Sequence, residues 1–194
     1  MNVTIIKGNV CEPIGDGKKI IVHCCNDIGV MGSGVAGALR KKWPTVGEDY
    51  EDWHNDWIKK PFVLGQIQFV KVEEDIVVCN LIGQRGIGGE TIDGEFVPPV
   101  KYESLREGFL RVRGSIKKAP NSVSLHLPML GSALAGGDWV SIYELIRDVF
   151  DELDIECTIY AFDDVNLKLA QSTHQEYEER ESYLLEIERG DIIG

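Results

Sequence analysis

Apolar positions along this chain follow two rhythms, one of strands and one of helices. Residues 3–6 form a short β-branched run, and Ile20-Ile21-Val22 is apolar without a break, as a strand buried on both faces requires. Gly15-Asp16-Gly17 predicts a turn between them. A glycine-rich stretch over 29–37 leads into a helix through Ala38-Leu39-Arg40-Lys41-Lys42-Trp43, which Pro44 interrupts. Over 45–59, Tyr50, Trp53, Trp57 and Ile58 are spaced by three and four, which predicts an amphipathic helix with its aromatic stripe in the core. Residues 66–72 and 76–82 are strand-like runs split by Glu73-Glu74-Asp75, a hairpin that makes the sheet mixed. The stretch 83–100 reads as a loop with five glycines and two prolines, long enough to be suspected of function. Helical spacing returns over 102–118 through Leu105, Phe109, Val112 and Ile116. A strand over 123–129, a second glycine-rich loop over 131–137, a helix over 140–153 and a strand over 155–162 follow.

This alternation predicts an α/β fold, a three-layer α/β/α sandwich with a mixed central sheet over residues 1–162. Residues 163–194 change character. Tyr177, Leu184, Leu185 and Ile187 are sparse among charges there, which predicts an acidic C-terminal extension, either helical or disordered.

Charge narrows the range of functions. The net charge is −12, and half of it lies from Asp163 onward, where nine acids face three bases. No broad basic face is present, and sequence-independent nucleic-acid binding depends on many Lys and Arg neutralising phosphates. That class is disfavoured. The opening MNVTIIKGNV has no basic region followed by an apolar one, and no apolar run approaches the roughly 18 residues of a membrane helix. A cytoplasmic protein without membrane partners is expected. The five cysteines contain no C-x-x-C, so they read as buried free thiols, and neither a metal site nor a cofactor is expected. His54, His126 and His174 have no metal-ligand spacing. The sequence is silent on oligomeric state.

Two segments share one design: IIVHCCNDIGVMGSGVAGAL and LHLPMLGSALAGGDWVSIYEL. Each runs from an apolar strand through small residues into a helix. Glycine lets a ligand approach the main chain, and helix N-termini direct free N–H groups and partial positive charge at whatever sits there. Two such loops at the ends of neighbouring parallel strands would cradle a bridging anion such as a diphosphate. An acidic protein can therefore bind a nucleotide through its backbone. Taken singly, either loop also reads as a tight strand-to-helix turn. The first lacks a P-loop lysine, and Gly32-Ser33-Gly34 is not a complete G-x-G-x-x-G.

The series Gly8-Asn9-Val10, Val22-His23-Cys24-Cys25-Asn26 and Met31-Gly32-Ser33-Gly34-Val35-Ala36 resembles the opening of a macrodomain. Asn80-Leu81-Ile82-Gly83-Gln84 and Lys101-Tyr102-Glu103-Ser104-Leu105 match in order and spacing, and the run from Leu127 to Trp139 resembles the family's second ligand loop. The resemblance covers roughly residues 2–162 and implies a small-molecule ligand, ADP-ribose or ADP-ribose 1''-phosphate. It places Asn9, usually aspartate in macrodomains, and Val10 at the adenine; asparagine still accepts a hydrogen bond there, without charge assistance. It places Gly32, Ser33, Gly34, Val35 and Ala36 along the diphosphate and distal ribose, and Asn26 at the distal ribose. Gly131, Ser132, Ala133, Leu134, Ala135 and Gly136 would close over the diphosphate, with Gln84 reaching the ligand from the long loop.

The Gly-Gly-Asp-Trp ending and His23 are similar to the branch that removes phosphate from ADP-ribose 1''-phosphate. His23, Asp138 and Asn26 are then the catalytic candidates. Histidine titrates near neutral pH, and an aspartate can orient water while backbone N–H groups stabilise phosphoryl oxygens. Plainer readings stand beside these: His23 as a hydrogen-bonded core residue, Asp138 as a helix N-cap, Gln84 as a surface turn residue and Asp27 as solvent-facing. Two other functions remain open, removal of ADP-ribose from macromolecules and non-catalytic reading or sequestering of ADP-ribose. The first uses, in one branch, a lysine after the hairpin strand and an aspartate in the second loop; here Gln84-Arg85 and Ala135 occupy those regions.

Overall fold

A computed structural model describes residues 1–118, 123–132 and 136–189 of the chain. In chain order the elements are β1 (Asn2–Lys7), β2 (Lys18–Asn26), α1 (Gly34–Lys42), α2 (Pro44–Asn55), β3 (Ile67–Lys71), β4 (Ile76–Gln84), β5 (Glu90–Ile92), β6 (Glu95–Val97), α3 (Tyr102–Ile116), β7 (Val123–Pro128), α4 (Trp139–Phe150), β8 (Glu156–Ala161) and α5 (Asp164–Arg189). A six-stranded sheet has the order β1-β8-β7-β2-β4-β3. Its strands pair in parallel except β3, which runs antiparallel to β4.

The apolar strands explain the layering. Successive β2 side chains alternate: Val22 joins Phe109, Ile142 and Phe150 on the face covered by α3 and α4, whereas Ile21 and Cys25 join Leu39, Tyr50 and Trp53 under α1 and α2. Two cores thus flank one sheet, and the molecule is an α/β/α sandwich. Fully buried side chains such as Phe109 and Leu81 contribute about 2–3 kcal/mol each through removal from water.

Two sequence expectations are corrected. The helix expected over 45–59 ends at Asn55, and Trp57 and Ile58 are 63% and 83% exposed. The chain turns back so that Phe62, not Trp57, completes the aromatic cluster, its ring centroid 5.2 Å from Tyr50 and 4.9 Å from Trp53. The stretch 83–100 is not an unstructured loop either. It holds the β5–β6 hairpin, turned at Asp93 and Gly94 with φ of 53° and 85°. Asp-Gly is the signature of such a turn, and it was legible in the sequence.

The chain from Asp164 to Arg189 is helical. Its own Ala170 and Thr173 are buried, while Tyr143 shares a 2.7 Å hydrogen bond with His174 and Arg147 pairs with Glu178. Among the described residues no helix is long and apolar enough to cross a membrane.

Candidate functional site

All five parallel strands end on one edge of the sheet, and the loops that carry most of the described residues singled out by sequence follow those strand ends. β2 and β7 are adjacent, so the loops that follow them lie side by side. The ends of β1 and β8 are joined by the Gly8 N–H donating to the Ala161 carbonyl at 2.9 Å.

The first loop is organised by Asn26. Its Oδ1 accepts from the N–H groups of Ile28 and Val30 at 3.2 and 3.1 Å, and its Nδ2 donates to the Val30 carbonyl at 2.6 Å. The buried Tyr50 hydroxyl donates to the Asn26 carbonyl from α2. Gly29 is required here: φ is 75°, and a Cβ would stand 2.5 Å from the His54 ring. Asn26 therefore shapes the loop, and one of its two amide N–H groups takes no part in these bonds.

α1 then begins in the open. Its N-cap Ser33 makes no side-chain cap bond, and its first turn carries no acid. Gly37 N–H is bonded to the Ser33 carbonyl at 3.0 Å, so the N–H groups of Gly34, Val35 and Ala36 lie outside the helical ladder. Gly32, Ser33 and Gly34 are exposed, and Gly34 has φ of 57°. This is an anion-receptive helix terminus.

The second loop differs, which corrects the expectation of two equivalent helix termini. Gly131 and Gly136 take φ of 74° and 65°, and Gly137 N–H closes the loop onto the Gly131 carbonyl at 2.8 Å. Ser132 Oγ donates to the Met129 carbonyl at 2.8 Å. Ala133, Leu134 and Ala135 lie outside the described residues. The helix beyond, α4, is already capped: Asp138 accepts from Ser141 N–H at 2.8 Å and from Ser141 Oγ at 2.7 Å. Those two bonds hold its carboxyl below the usual carboxylate range. Asp138 is exposed and anionic, so α4 offers its terminus to its own side chain and not to a phosphate.

His23 is also placed otherwise than the phosphatase resemblance implies. It sits three residues before the end of β2, 1% exposed, with Nε2 2.6 Å from Asn80 Oδ1 and Cys25 Sγ 3.6 Å away. Asn80 is itself held by the Val46 carbonyl and Gln68. Burial lowers the His23 pKa to about 4, against the opposing pull of the Asn80 bond. The ring is neutral and enclosed in the α2-covered core.

At the β1–β8 end, Asn9 is exposed and Val10 buried. Asn9 Oδ1 accepts from Cys11 N–H at 3.0 Å. Phe162 follows β8 directly and is 87% exposed. The sequence reading assigned it no role; a phenylalanine ending an apolar strand beside the Asn9 loop was its only signal. At the opposite end, Gln84 is half-buried and donates to the Gly86 carbonyl at 3.0 Å. Asp27 is not solvent-facing as expected: its Oδ1 accepts from Gly86 N–H at 2.7 Å and ties the first loop to the end of β4. The free cysteines are buried except the half-buried Cys24, whose thiol burial pushes up to about 12, so none is poised as a nucleophile.

No protein-family model matches the chain. It is similar to a solved Bacteroides thetaiotaomicron protein of unknown function, with 37% identity and a TM-score of 0.76 over 83% of this chain and 98% of that one. A macrodomain protein from Streptomyces coelicolor is 34% identical, with a TM-score of 0.69 over 82% of this chain and 98% of its own. The ADP-ribose 1''-phosphate phosphatase of Saccharomyces cerevisiae strain YJM789 is 24% identical over 182 residues, spanning 82% of this chain and 98% of the yeast protein.

Proposed function

The chain belongs to the macrodomain family, and from that premise we propose that it binds ADP-ribose along the carboxyl edge of its sheet and hydrolyses the terminal phosphate of ADP-ribose 1''-phosphate. The observation that carries the binding is the open, acid-free N-terminus of α1 beside the glycine loop after β7. The diphosphate sits against the N–H groups of Gly34, Val35 and Ala36, under the loop that includes Gly131, Ser132 and Gly136. The base lies toward Asn9 and the exposed face of Phe162, where stacking on an aromatic ring contributes about 1–3 kcal/mol.

Phosphate removal is supported by the likeness to the yeast phosphatase, over 82% of this chain and 98% of the yeast protein, and by Asp138. Water attacks phosphorus, the bond from phosphorus to the ribose oxygen breaks, and that oxygen leaves protonated as inorganic phosphate departs. Asp138, held ionised by Ser141, accepts a hydrogen bond from the attacking water and orients it. Main-chain N–H groups stabilise the phosphoryl oxygens. His23 does not touch the substrate; it fixes β2 beneath the first loop through Asn80.

Asp138→Asn tests the catalytic part, because asparagine still caps a helix while losing the charge. Phosphate release should fall at least tenfold while the ADP-ribose dissociation constant stays within about twofold, a span of ~0.4 kcal/mol. Undiminished release removes Asp138 from the mechanism. The enclosure of His23 favours a second reading, a binder without turnover. Calorimetric binding of ADP-ribose with no phosphate released by the unaltered protein would select it.

A further inference from the structure

Beyond β4 the chain doubles back to the sheet instead of leaving it. Gln84 pairs with Val100 in an antiparallel bridge, Arg85 N–H donates to the Pro99 carbonyl at 2.9 Å, and Lys101 N–H to the Gly83 carbonyl at 2.8 Å. Alternation along this short ladder decides where the side chains go. Val100 is turned into the core at 3% exposure, so Arg85 and Lys101 project together on the other side. They line an open cleft of about 220 Å³ with Gly86, Gly88, Pro98 and one carboxylate, Glu90. Neither cation makes an ion pair among the described residues, and the Lys101 ammonium has only a 3.5 Å contact with the Pro98 carbonyl. In a chain of net charge −12, two unpaired cations in one cleft call for an anion.

The cleft adjoins both ligand loops. Gly86 N–H is held by Asp27 of the first loop at 2.7 Å, and a Cβ on Gly136 of the second would lie 3.2 Å from Pro98. Strand order places it along the edge as well: with the base at β1–β8 and the diphosphate at β7–β2, the far end of the nucleotide arrives at β4. The open amides of α1 suit a diphosphate, whereas a terminal phosphomonoester approaches two negative charges at neutral pH, its second pKa being about 6. We infer that the Arg85–Lys101 cleft receives this terminal phosphate, the guanidinium offering a paired N–H fork and the ammonium a point charge. The inference rests on the proposed groove. It gives the site a preference for the phosphorylated nucleotide over ADP-ribose, with Glu90 opposing it.

The test compares the two nucleotides on the full chain, by titration, or by KM and competitive inhibition where turnover occurs. The unaltered protein should hold ADP-ribose 1''-phosphate at least tenfold more tightly than ADP-ribose. Replacing Arg85→Gln and Lys101→Gln together should abolish that preference and leave ADP-ribose affinity within twofold, which also reports that the groove is intact. Glu90→Gln should widen the preference. Equal affinity for both nucleotides in the unaltered protein, or a double variant that keeps the preference, overturns the cleft while ADP-ribose binding still supports the groove. Absence of ADP-ribose binding by the unaltered protein removes the groove itself, and the cleft with it.

Discussion

The His23 ring is held uncharged inside the protein, and that has a consequence for acid stability. Its folded pKa of about 4 lies below the ordinary 6.5, so the unfolded chain takes up the proton first as pH falls. Stability is therefore full above pH 6.5 and declines toward pH 4, by ~3 kcal/mol for a shift of this size. His126, buried beside Tyr160 and also lowered to about 4 by burial, acts in the same window. Urea unfolding at pH 7 and pH 4.5 should show this loss, and His23→Gln should remove about half of it. An unchanged loss in the variant would mean that the ring is charged in the folded state. At this scale the sequence offered both readings of His23 and of Asp138 without deciding between them. Burial places the His23 ring in the interior, because a strand position three residues from the edge is covered, whereas Asp138, just before a helix, is at the surface and caps α4 through Ser141. Phe162 escaped notice because an aromatic residue ending an apolar strand looks like core until its neighbours are placed.

Loop geometry is where the elements meet the proposed ligand, and Gly29 is a tightly constrained point in it. Alanine there would add a Cβ 2.5 Å from the His54 ring in a backbone of φ 75°. Left-handed strain alone costs about 1–2 kcal/mol, and the Asn26 turn must shift to relieve the clash. Gly29→Ala should weaken ADP-ribose binding by about tenfold, or ~1.4 kcal/mol, while circular dichroism stays unaltered; wild-type affinity would show that the first loop does not position the ligand. Element types were well marked in the sequence, since an uninterrupted apolar strand and a three-four helical spacing arise from the same side-chain geometry that builds them. Element ends were less legible. Trp57 continued the helical spacing perfectly well, but Phe62, several residues later, competed for the same aromatic cluster, and contacts across a turn leave no periodic trace. The difference between an open α1 and a capped α4 was likewise hidden, because Ser33 and Asp138 are both good N-cap residues and only the structure shows which one makes the bond.

The sandwich as a whole followed from the alternation of strands and helices, and the strand order then set the two glycine-rich loops next to each other. The acidic segment is less separable than its composition implied. Arg147, 8% exposed, is paired with Asp151 at 2.6 Å and with Glu178, and its guanidinium lies 4.4 Å from the Tyr177 ring centroid. A chain ending at Ala161 would leave that charge half-paired and uncover Tyr143 and the outer side of β8. Breaking a buried ion pair costs about 3–5 kcal/mol, so such a chain should melt far below the intact one or fail to fold. A chain ending at Ser182 keeps these contacts and should melt within a few degrees of the intact protein, since Tyr183, Leu184, Leu185 and Ile187 are all exposed. Equal melting temperatures for all three would make the whole helix dispensable.

The direction of α5 also governs how the protein is presented to its surroundings. Met1 donates to the Asp151 carbonyl at the end of α4, and α5 passes that point at Tyr177 on its way outward. Met1 and the stretch of α5 beyond Tyr177 thus lie on the side away from the proposed groove. Tethered at Met1 or at Arg189 to a bead or a sensor surface, the molecule would stand with the proposed binding edge facing outward into the solvent.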